Sequence, residues 1–290
     1  MKILVTGKNG QLGQSIQKLI LNYDHHEFTF VGREELDLSS PESISKYFAT
    51  NSRFHIIINC AAYTWVDRAE EEADLADEIN HLAVKQLAEF AYSQNAKLIH
   101  ISTDYVFDGK NKFLYLESDN TNPINVYGKT KLLGEKAVLK TMSDNAMIIR
   151  TSWVFSEFGN NFIKTMLKLG SEKREINVVS DQIGSPTYAT DLAETILHII
   201  FSDNFNKKTF LTEVFHFSNK GETSWDQFAT EIFKLANLNC KVTPISIDQY
   251  PTSASRPHNT TLSIQKITND FKIQIPLWQE SLKTCLRLLL

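Results

Sequence analysis

The segment that most restricts the fold is a glycine-rich loop directly after the first apolar run, Thr6-Gly7-Lys8-Asn9-Gly10-Gln11-Leu12-Gly13. The run before it, Ile3 to Val5, is short and apolar, and Gly13 to Leu21 after it has apolar residues three and four positions apart. These patterns predict a strand, a tight turn and a helix in that order. In such a unit one glycine permits the turn, a second lets main-chain amides approach a phosphate, and a third lets the helix lie close to the strand.

The glycine spacing is G-x-x-G-x-x-G rather than the commoner G-x-G-x-x-G, so we expect a loop that is one residue longer. The N-terminus of the following helix presents N–H groups without helical partners, and these attract phosphate charge. An ordinary glycine-rich turn is the alternative. The position of the loop between a strand and an amphipathic helix favours a dinucleotide-binding site.

Further apolar runs recur along the first half of the chain, separated by segments with helical spacing such as Ala76 to Ala91. Strands that alternate with helices need crossover connections, and these produce a parallel sheet. The sequence therefore predicts an α/β fold with a Rossmann-type, doubly wound parallel sheet. The predicted strands are Ile3 to Val5, Phe28 to Val31, Ile56 to Asn59, Leu98 to Ser102 and Met147 to Arg150.

This regular alternation loosens beyond about Thr151, where prolines and aromatic residues become more frequent. We therefore expect residues 1–150 to form a dinucleotide-binding domain and residues 151–290 to form mainly a smaller, C-terminal substrate-binding lobe. Helical spacing in Thr190 to Phe201 and Ser224 to Ala236, with the apolar run Val214 to Phe217 between them, indicates that the chain crosses between the lobes. Part of 175–215 is predicted to return to the first domain.

The charge balance and the cysteine content exclude several classes of protein. A net charge of -4 and a pI near 6.1 offer no basic surface for nucleic acid. The three cysteines are widely spaced, which indicates neither a disulfide framework nor a thiolate metal site. No stretch approaches the about 18 apolar residues that a membrane span needs. We therefore expect a cytoplasmic protein that binds no nucleic acid and no membrane.

The residues after the second and third predicted strands are candidates for cofactor selection. Gly32 and Arg33 stand where an NAD-selective fold usually has a carboxylate, and an arginine there can pair with a 2'-phosphate. NADPH is therefore predicted as the cofactor; Glu34 and Glu35 leave NADH possible, and a solvated surface arginine is the alternative. Asp37-Leu38 could contact the adenine, and the small residues that close the third strand would let a cofactor lie close to the sheet edge.

A tyrosine and a lysine four residues apart form the candidate chemical centre. Tyr127 and Lys131 would share one face of a helix predicted over Lys131 to Leu139, and the ammonium would lower the pKa of the phenol. Tyr127 could then donate its proton to a carbonyl oxygen. Thr103 follows the fourth strand on the same edge and can polarise that carbonyl, while Asp104 can accept a hydrogen bond from a substrate hydroxyl. The alternative, a half-exposed tyrosine beside a solvated lysine, is disfavoured by the surrounding pattern.

In this order the motifs resemble the extended short-chain dehydrogenase/reductase family over nearly the whole chain. The segments that carry the resemblance are Gly7 to Gly13, Asn59 to Asp67, Ser102 to Phe107, Asn125 to Lys131, Arg150 to Val154, Gly159 to Phe162, Asp181-Gln182, Gly184 to Thr187 and Arg256 to Asn259.

The resemblance implies a catalytic triad of Thr103, Tyr127 and Lys131, with Lys131 also holding the nicotinamide ribose. It implies that Thr103, Asp104 and Trp153 meet the sugar of a nucleotide-sugar substrate and that Arg256 lies near the nucleotide or its phosphates. The implied reaction reduces the 4-keto group of dTDP-4-dehydro-L-rhamnose. It also implies cofactor contacts at residues 10–12, 37–38 and 62–64. The whole predicted cofactor-binding set is Gly7, Asn9, Gly10, Gln11, Leu12, Arg33, Asp37, Leu38, Ala61, Ala62, Tyr63, Thr64, Tyr127 and Lys131.

Two other activities stay open, a different nucleotide-sugar reductase or epimerase and a non-catalytic regulatory subunit of the same fold. The intact Thr103, Tyr127 and Lys131 disfavour the regulatory subunit.

The resemblance also bears on assembly, because some family members dimerise around a magnesium ion held by glutamates. The matching positions here are Ser15, Thr190 and Leu288, which offer no carboxylate to a hard cation. We therefore expect no metal, and a monomer or weak homodimer.

Overall fold

The computed structural model describes residues 1–23, 25–51 and 53–290, and a parallel sheet of six strands is its centre. The sheet order is β2-β1-β3-β4-β5-β10, and every neighbouring pair is parallel. The α/β, Rossmann-type prediction is confirmed. The strands are β1 (Lys2–Thr6), β2 (Glu27–Val31), β3 (Ile56–Asn59), β4 (Lys97–Thr103), β5 (Ala146–Thr151), β6 (Val154–Phe155), β7 (Glu175–Val179), β8 (Ile183–Gly184), β9 (Thr187–Tyr188), β10 (Glu213–His216), β11 (Thr223–Ser224) and β12 (Lys241–Ile245).

Helices cover both faces of this sheet, so most residues of its central strands are apolar and buried. Side chains of α1, α7 and α9 join the core on one face, and those of α2, α4 and α5 join the core on the other. The helices are α1 (Gln11–Leu19), α2 (Pro41–Thr50), α3 (Ala73–Asp77), α4 (Ala83–Gln94), α5 (Val126–Thr141), α6 (Phe162–Glu172), α7 (Ala189–Ile200), α8 (Trp225–Leu235), α9 (Gln265–Phe271) and α10 (Trp278–Leu289). A π-helical turn, Glu78–Leu82, joins α3 to α4.

A second, smaller core is formed by α6, α8 and α10 with the parallel pair β7 and β12. The chain does not stay there once it has left the main sheet. It returns through α7, which lies against α1, and through β10, which pairs with β5 at the edge of the main sheet. The smaller lobe is thus connected to the sheet at several points.

The strand order creates a crevice at one edge of the sheet. The chain leaves β1 toward β2 on one side, and β3 lies on the other side, so the connections diverge beyond the carboxyl ends of β1 and β3. Ligands of open α/β sheets bind at such a point. The loops after β1, β3, β4 and β5 all open onto this edge.

Helix α5 begins earlier than the sequence predicts, at Val126 rather than Lys131. The Asn125 side chain caps it by accepting a hydrogen bond from the Gly128 N–H at 2.7 Å. This cap places Tyr127 in the first turn of α5 and Lys131 in the second.

Candidate active site

The glycine loop closes tightly between β1 and α1. Gly7 has a φ of +71°, and a Cβ on it would lie 2.8 Å from the Ala61 nitrogen. A Cβ on Gly13 would lie 2.3 Å from the Gly7 oxygen, which no relaxed structure accommodates. No side chain caps α1 at Gly10, so the first N–H groups of α1 remain directed at the crevice. The residues present fit a cradle for a pyrophosphate.

Two side chains of this loop, those of Gln11 and Leu12, contact the rest of the protein. The Gln11 amide donates to the Val154 oxygen at 3.1 Å and accepts from Ser156 and Asn161, both at 2.9 Å. Leu12 is buried, whereas Asn9 and Gly10 are exposed. A ligand at this loop would therefore meet its main chain.

The end of β2 carries charges of both signs. Glu35 pairs with Lys8 and accepts from the Gly32 N–H at 2.8 Å. The Arg33 side chain is 77% exposed, and its ion pair with Asp37 spans 3.4 Å. Arg33 is thus available to an anion.

The Asp37-Leu38 pair is less open than the sequence indicates. Burial raises the pKa of Asp37, but hydrogen bonds from Ser39 and the charge of Arg33 outweigh it, and the net shift is downward. The Asp37 carboxylate accepts from the Ser39 N–H at 3.0 Å and from its hydroxyl at 2.7 Å. The Leu38 side chain lies in the core beneath α2. Only the main chain of Leu38 can meet a ligand.

The segment after β3 is held in place by a buried asparagine that the sequence analysis did not single out. Asn80, in the π-helical turn, accepts from the Tyr63 N–H at 2.9 Å and donates to the Tyr63 oxygen at 3.0 Å. Its amide also donates to the Thr130 hydroxyl of α5 at 3.2 Å. Single π-helical turns are frequent at functional sites, and this one carries Asn80. Ala61 and Ala62 are half-buried beside this clamp, and Thr64 is exposed.

Thr103 and Asp104 lie at the carboxyl end of β4, as predicted. The Thr103 hydroxyl donates to Asp104 Oδ1 at 3.0 Å, and both side chains are buried. Asp104 Oδ2 is buried with no hydrogen-bond partner among the described residues. Burial raises the pKa of Asp104 to about 6, although the hydroxyls of Thr260 and Thr103 oppose it. This carboxyl can therefore exchange a proton close to neutral pH.

Tyr127 lies beside Thr103, but its pKa moves opposite to the prediction. Burial raises the pKa of Tyr127 to about 12, and a hydrogen bond with Thr103 offsets only part of this rise. The Lys131 ammonium is not among the main influences on this pKa, and Lys131 Nζ donates to the Ile101 oxygen at 2.6 Å. Tyr127 is thus a protonated phenol at neutral pH.

Lys131 is 1% exposed, deeper than a lysine normally lies. Burial lowers the pKa of Lys131 to about 8, and the carboxylate of Glu135, one turn further along α5, opposes the fall. With one donor bound to Ile101, the ammonium keeps two N–H groups for a ligand.

A cavity of about 580 Å³ opens beside these residues, between α6, β7 and α8. Its wall is largely apolar. The Tyr105 ring connects the cavity to the sheet edge that carries Thr103 and Tyr127, called the catalytic edge below, and its centroid lies 5.8 Å from that of the Tyr127 ring. Arg256 contributes a charge to the wall. The lining includes Tyr105, Phe162, Met166, Ile176, Trp225 and Arg256.

Arg256 is joined end-on to an aspartate on the other side of the crevice. Its Nη1 and Nη2 donate to the two carboxylate oxygens of Asp67 at 3.0 and 2.6 Å. Nη1 also donates to the Ala254 oxygen at 3.2 Å. Among the residues that the structure describes, none accepts a hydrogen bond from Arg256 Nε. The Nε edge of the guanidinium is therefore left for a ligand.

Of the two stacked indoles near the cavity, Trp225 rather than Trp153 lines it. The Trp153 ring stacks on Trp225 at 3.5 Å, and a Cβ on Gly184 would lie 2.7 Å from it. Trp153 also has a φ of +47°, a conformation that a bulky residue adopts only under constraint. A contact between Trp153 and a sugar would have to use what these two neighbours leave uncovered.

The three positions considered as counterparts of magnesium ligands carry no carboxylate. Ser15 is buried and donates to the Gln11 oxygen at 2.9 Å, Thr190 Oγ1 is buried, and Leu288 is exposed. Within the described residues no cluster of three histidines, cysteines or carboxylates is arranged to hold a metal ion.

Known proteins match this chain over its full length. The family described as RmlD substrate binding domain matches residues 1–290. The dTDP-4-dehydrorhamnose reductase of Aggregatibacter actinomycetemcomitans is 40% identical over 291 residues, which cover 97% of this chain and 97% of that protein. A dTDP-4-dehydrorhamnose reductase structure from Clostridium acetobutylicum is 42% identical with a TM-score of 0.92, covering 100% of this chain and 99% of that one.

Another such reductase, from Bacillus anthracis in complex with NADP, is 38% identical with a TM-score of 0.91, covering 99% of this chain and 98% of that one. These matches cover nearly the whole chain and therefore both lobes. This chain therefore belongs to the dTDP-4-dehydrorhamnose reductase family.

Proposed function

We propose that this protein reduces the 4-keto group of dTDP-4-dehydro-L-rhamnose to the alcohol with NADPH. The observation that carries the proposal is the meeting of Thr103, Tyr127 and Lys131 at the edge of the sheet onto which the glycine cradle also opens. A hydroxyl, a protonated phenol and an ammonium are the groups that ketone reduction by hydride transfer needs.

The cofactor would lie along the carboxyl ends of β1 to β5. Main-chain amides from Gly7 to Leu12 would hold its pyrophosphate, and Lys131 would hold the nicotinamide ribose. When bound there, NADPH supplies the hydride. The exposed Arg33 supports selection of a 2'-phosphate, and the relative from Bacillus anthracis is known with NADP.

Tyr127 is the proposed proton donor to the carbonyl oxygen. Because its pKa is raised to about 12, the phenol keeps its proton until an acceptor of developing negative charge is in place. Thr103 polarises the carbonyl, and the ammonium of Lys131 stabilises the phenolate left behind. The carbon gains the hydride and the oxygen gains the proton, so a ketone becomes an alcohol.

The nucleotide of the substrate would occupy the cavity of about 580 Å³. Its apolar wall suits a pyrimidine base, and the Nε edge of Arg256 suits a phosphate oxygen. Asp104 would then accept from a sugar hydroxyl near Tyr127. Trp153 would contact the sugar only where Trp225 and Gly184 leave it uncovered.

The experiment is NADPH consumption on addition of dTDP-4-dehydro-L-rhamnose, comparing the natural chain with Tyr127→Phe. The variant is expected to lose turnover by at least about a hundredfold, since the general acid is removed. Tyr92→Phe, a change at an exposed tyrosine of α4, is the matched control. Full turnover by Tyr127→Phe, or none by the natural chain, would contradict the proposal.

We further infer a cytoplasmic protein that is a monomer or a weak homodimer without an interface metal. All three cysteines are unpaired, and none of the helices built by the described residues has the length and apolar content that a membrane span requires. Light scattering with and without a chelator tests the assembly, and a mass that falls when magnesium is removed would contradict it.

A further inference from the structure

A group of buried charges lies directly behind the proposed catalytic residues. Glu135 and Arg150 are 1% and 4% exposed, and they form a bidentate ion pair with distances of 2.9 and 2.7 Å. The Ser102 hydroxyl, next to Thr103, also donates to the Glu135 carboxylate. Lys131, one helical turn before Glu135 on α5, is the third charge of the group, and its Nζ donates to the Ile101 oxygen rather than to this carboxylate. Helix α5 contributes Lys131 and Glu135, β4 contributes Ser102, and β5 contributes Arg150.

The bonding within this group leaves little freedom to its members. Both carboxylate oxygens of Glu135 accept hydrogen bonds. Oε1 accepts from the Ser102 hydroxyl and from Arg150 Nε, and Oε2 accepts from Arg150 Nη2. The guanidinium of Arg150 also lies 5.1 Å from the centroid of the Phe107 ring. Such saturation is what a buried ion pair needs to offset its desolvation.

The charges around Lys131 come from several elements. Glu135 on α5 attracts it, while His100 on β4 stays neutral, because burial and the charge of Lys131 hold its pKa well below the usual range. The phenol of Tyr127 is protonated. His216 lies behind Arg150. Burial, together with the charge of Arg150, lowers the pKa of His216 to about 3.

Glu117 accepts from the His216 N–H at 3.1 Å, on the far side of Arg150. The pKa of Glu117 is raised, and burial is the main cause. Among the described residues, Glu135 is therefore the carboxylate that acts on Lys131.

Charge balance explains why an arginine accompanies the glutamate. A lone Glu135 would cancel the charge of Lys131 and leave nothing to stabilise a phenolate. Because Arg150 binds the same carboxylate, two cations face one anion, and one positive charge remains in the group. When Tyr127 gives up its proton, the negative charge of the phenolate balances this remaining positive charge.

We propose that Glu135 is a positioning residue that acts through Lys131 by keeping its ammonium charged, with Arg150 balancing the carboxylate. This inference rests on the proposed function for its purpose, but its test does not.

The test is an NMR titration of lysine side chains labelled at Cε, in the protein without cofactor, with the Lys131 signal identified by its loss in Lys131→Met. The midpoint in the natural chain is expected near pH 8. Glu135→Gln keeps the size of the side chain but removes its charge, and should lower the midpoint by about one pH unit or more. Glu89→Gln, in the exposed pair with Lys85 on α4, is the matched control and should leave it unchanged.

A double variant, Glu135→Met with Arg150→Met, guards against misfolding of the single variant because it leaves no unpaired buried charge. Its midpoint should lie below that of the natural chain but above that of Glu135→Gln, since the repulsion from an unpaired Arg150 is gone. A midpoint equal to that of the natural chain in whichever variant folds would overturn the inference.

The alkaline limb of the turnover rate should move with the NMR midpoint. Turnover lost equally at every pH, without a shift of the limb, would mean that Glu135 is only structural. Absence of turnover in the natural chain would instead count against the proposed function, and the NMR result would stand on its own.

Discussion

Asp104 is expected to weaken the fold that carries it, and Asp104→Asn to stabilise the protein in a pH-dependent way. The carboxyl is 2% exposed, and its Oδ2 has no partner among the described residues. Ionising it there is costly, which is why burial raises the pKa of Asp104 from 3.8 to about 6. Asparagine keeps the shape and the acceptor for Thr103 but never ionises.

The size and the sign of the effect follow from proton linkage. Below about pH 3.8 the carboxyl is protonated in both states and costs nothing. As the pH rises toward 6, the unfolded chain releases the proton while the native chain retains it, so stability falls; above the folded pKa the loss is complete. A shift of this size corresponds to about 3 kcal/mol near neutral pH, and to about half of that near pH 5. For a chain of this length, about 3 kcal/mol corresponds to about 5 °C in Tm.

Thermal unfolding of the natural chain and of Asp104→Asn should therefore be compared at about pH 5 and about pH 7.5. The gain in Tm should be roughly twice as large at the higher pH, since asparagine introduces only pH-independent terms. Asp203→Asn, at an exposed position, should change Tm little at either pH. An equal difference at both pH values, or a loss of stability near neutral pH, would refute the reasoning.

Three other substitutions test the cofactor and substrate contacts. Gly13→Ala should weaken NADPH binding in a fluorescence titration by about a hundredfold, because its Cβ would lie 2.3 Å from the Gly7 oxygen. Gly10→Ala places its Cβ 3.3 Å from the same oxygen and should weaken binding much less. Equal losses of affinity in the two variants would contradict this. Asp67→Asn should raise KM for the nucleotide sugar about tenfold with little change in kcat, and a fall in kcat alone would argue against it. Arg33→Ala should lower kcat/KM for NADPH relative to NADH by about tenfold, and an unchanged ratio would remove the arginine from cofactor selection.

The strands of the main sheet were predictable because each is a continuous apolar run between turn residues, as strands buried on both faces are. Observed bounds for β1 to β5 differ from the predicted ones by one residue at most at each end. Strands of two residues, such as β6 and β8, carry no such pattern and form only where a partner lies beside them. The start of α5 was missed because the Asn125 cap, not hydrophobic spacing, sets it.

The sequence by itself determined where the polar residues of the site occur along the chain. Thr103, Tyr127 and Lys131 follow from motif spacing, because helix and strand periods convert that spacing into direction. Glu135 also stands at a visible spacing, four residues after Lys131, and Arg150 is conspicuous as a charge at the end of an apolar strand.

Only the tertiary structure decided how these groups are charged and paired. Arg256 meets Asp67 across 189 positions of sequence, and Arg150 meets Glu135 from a different element. The pKa of Tyr127 rises, against the direction expected from Lys131 four residues away, because burial of the phenol is the largest influence on it. Desolvation and long-range pairing depend on which surfaces come together, and local spacing does not specify them.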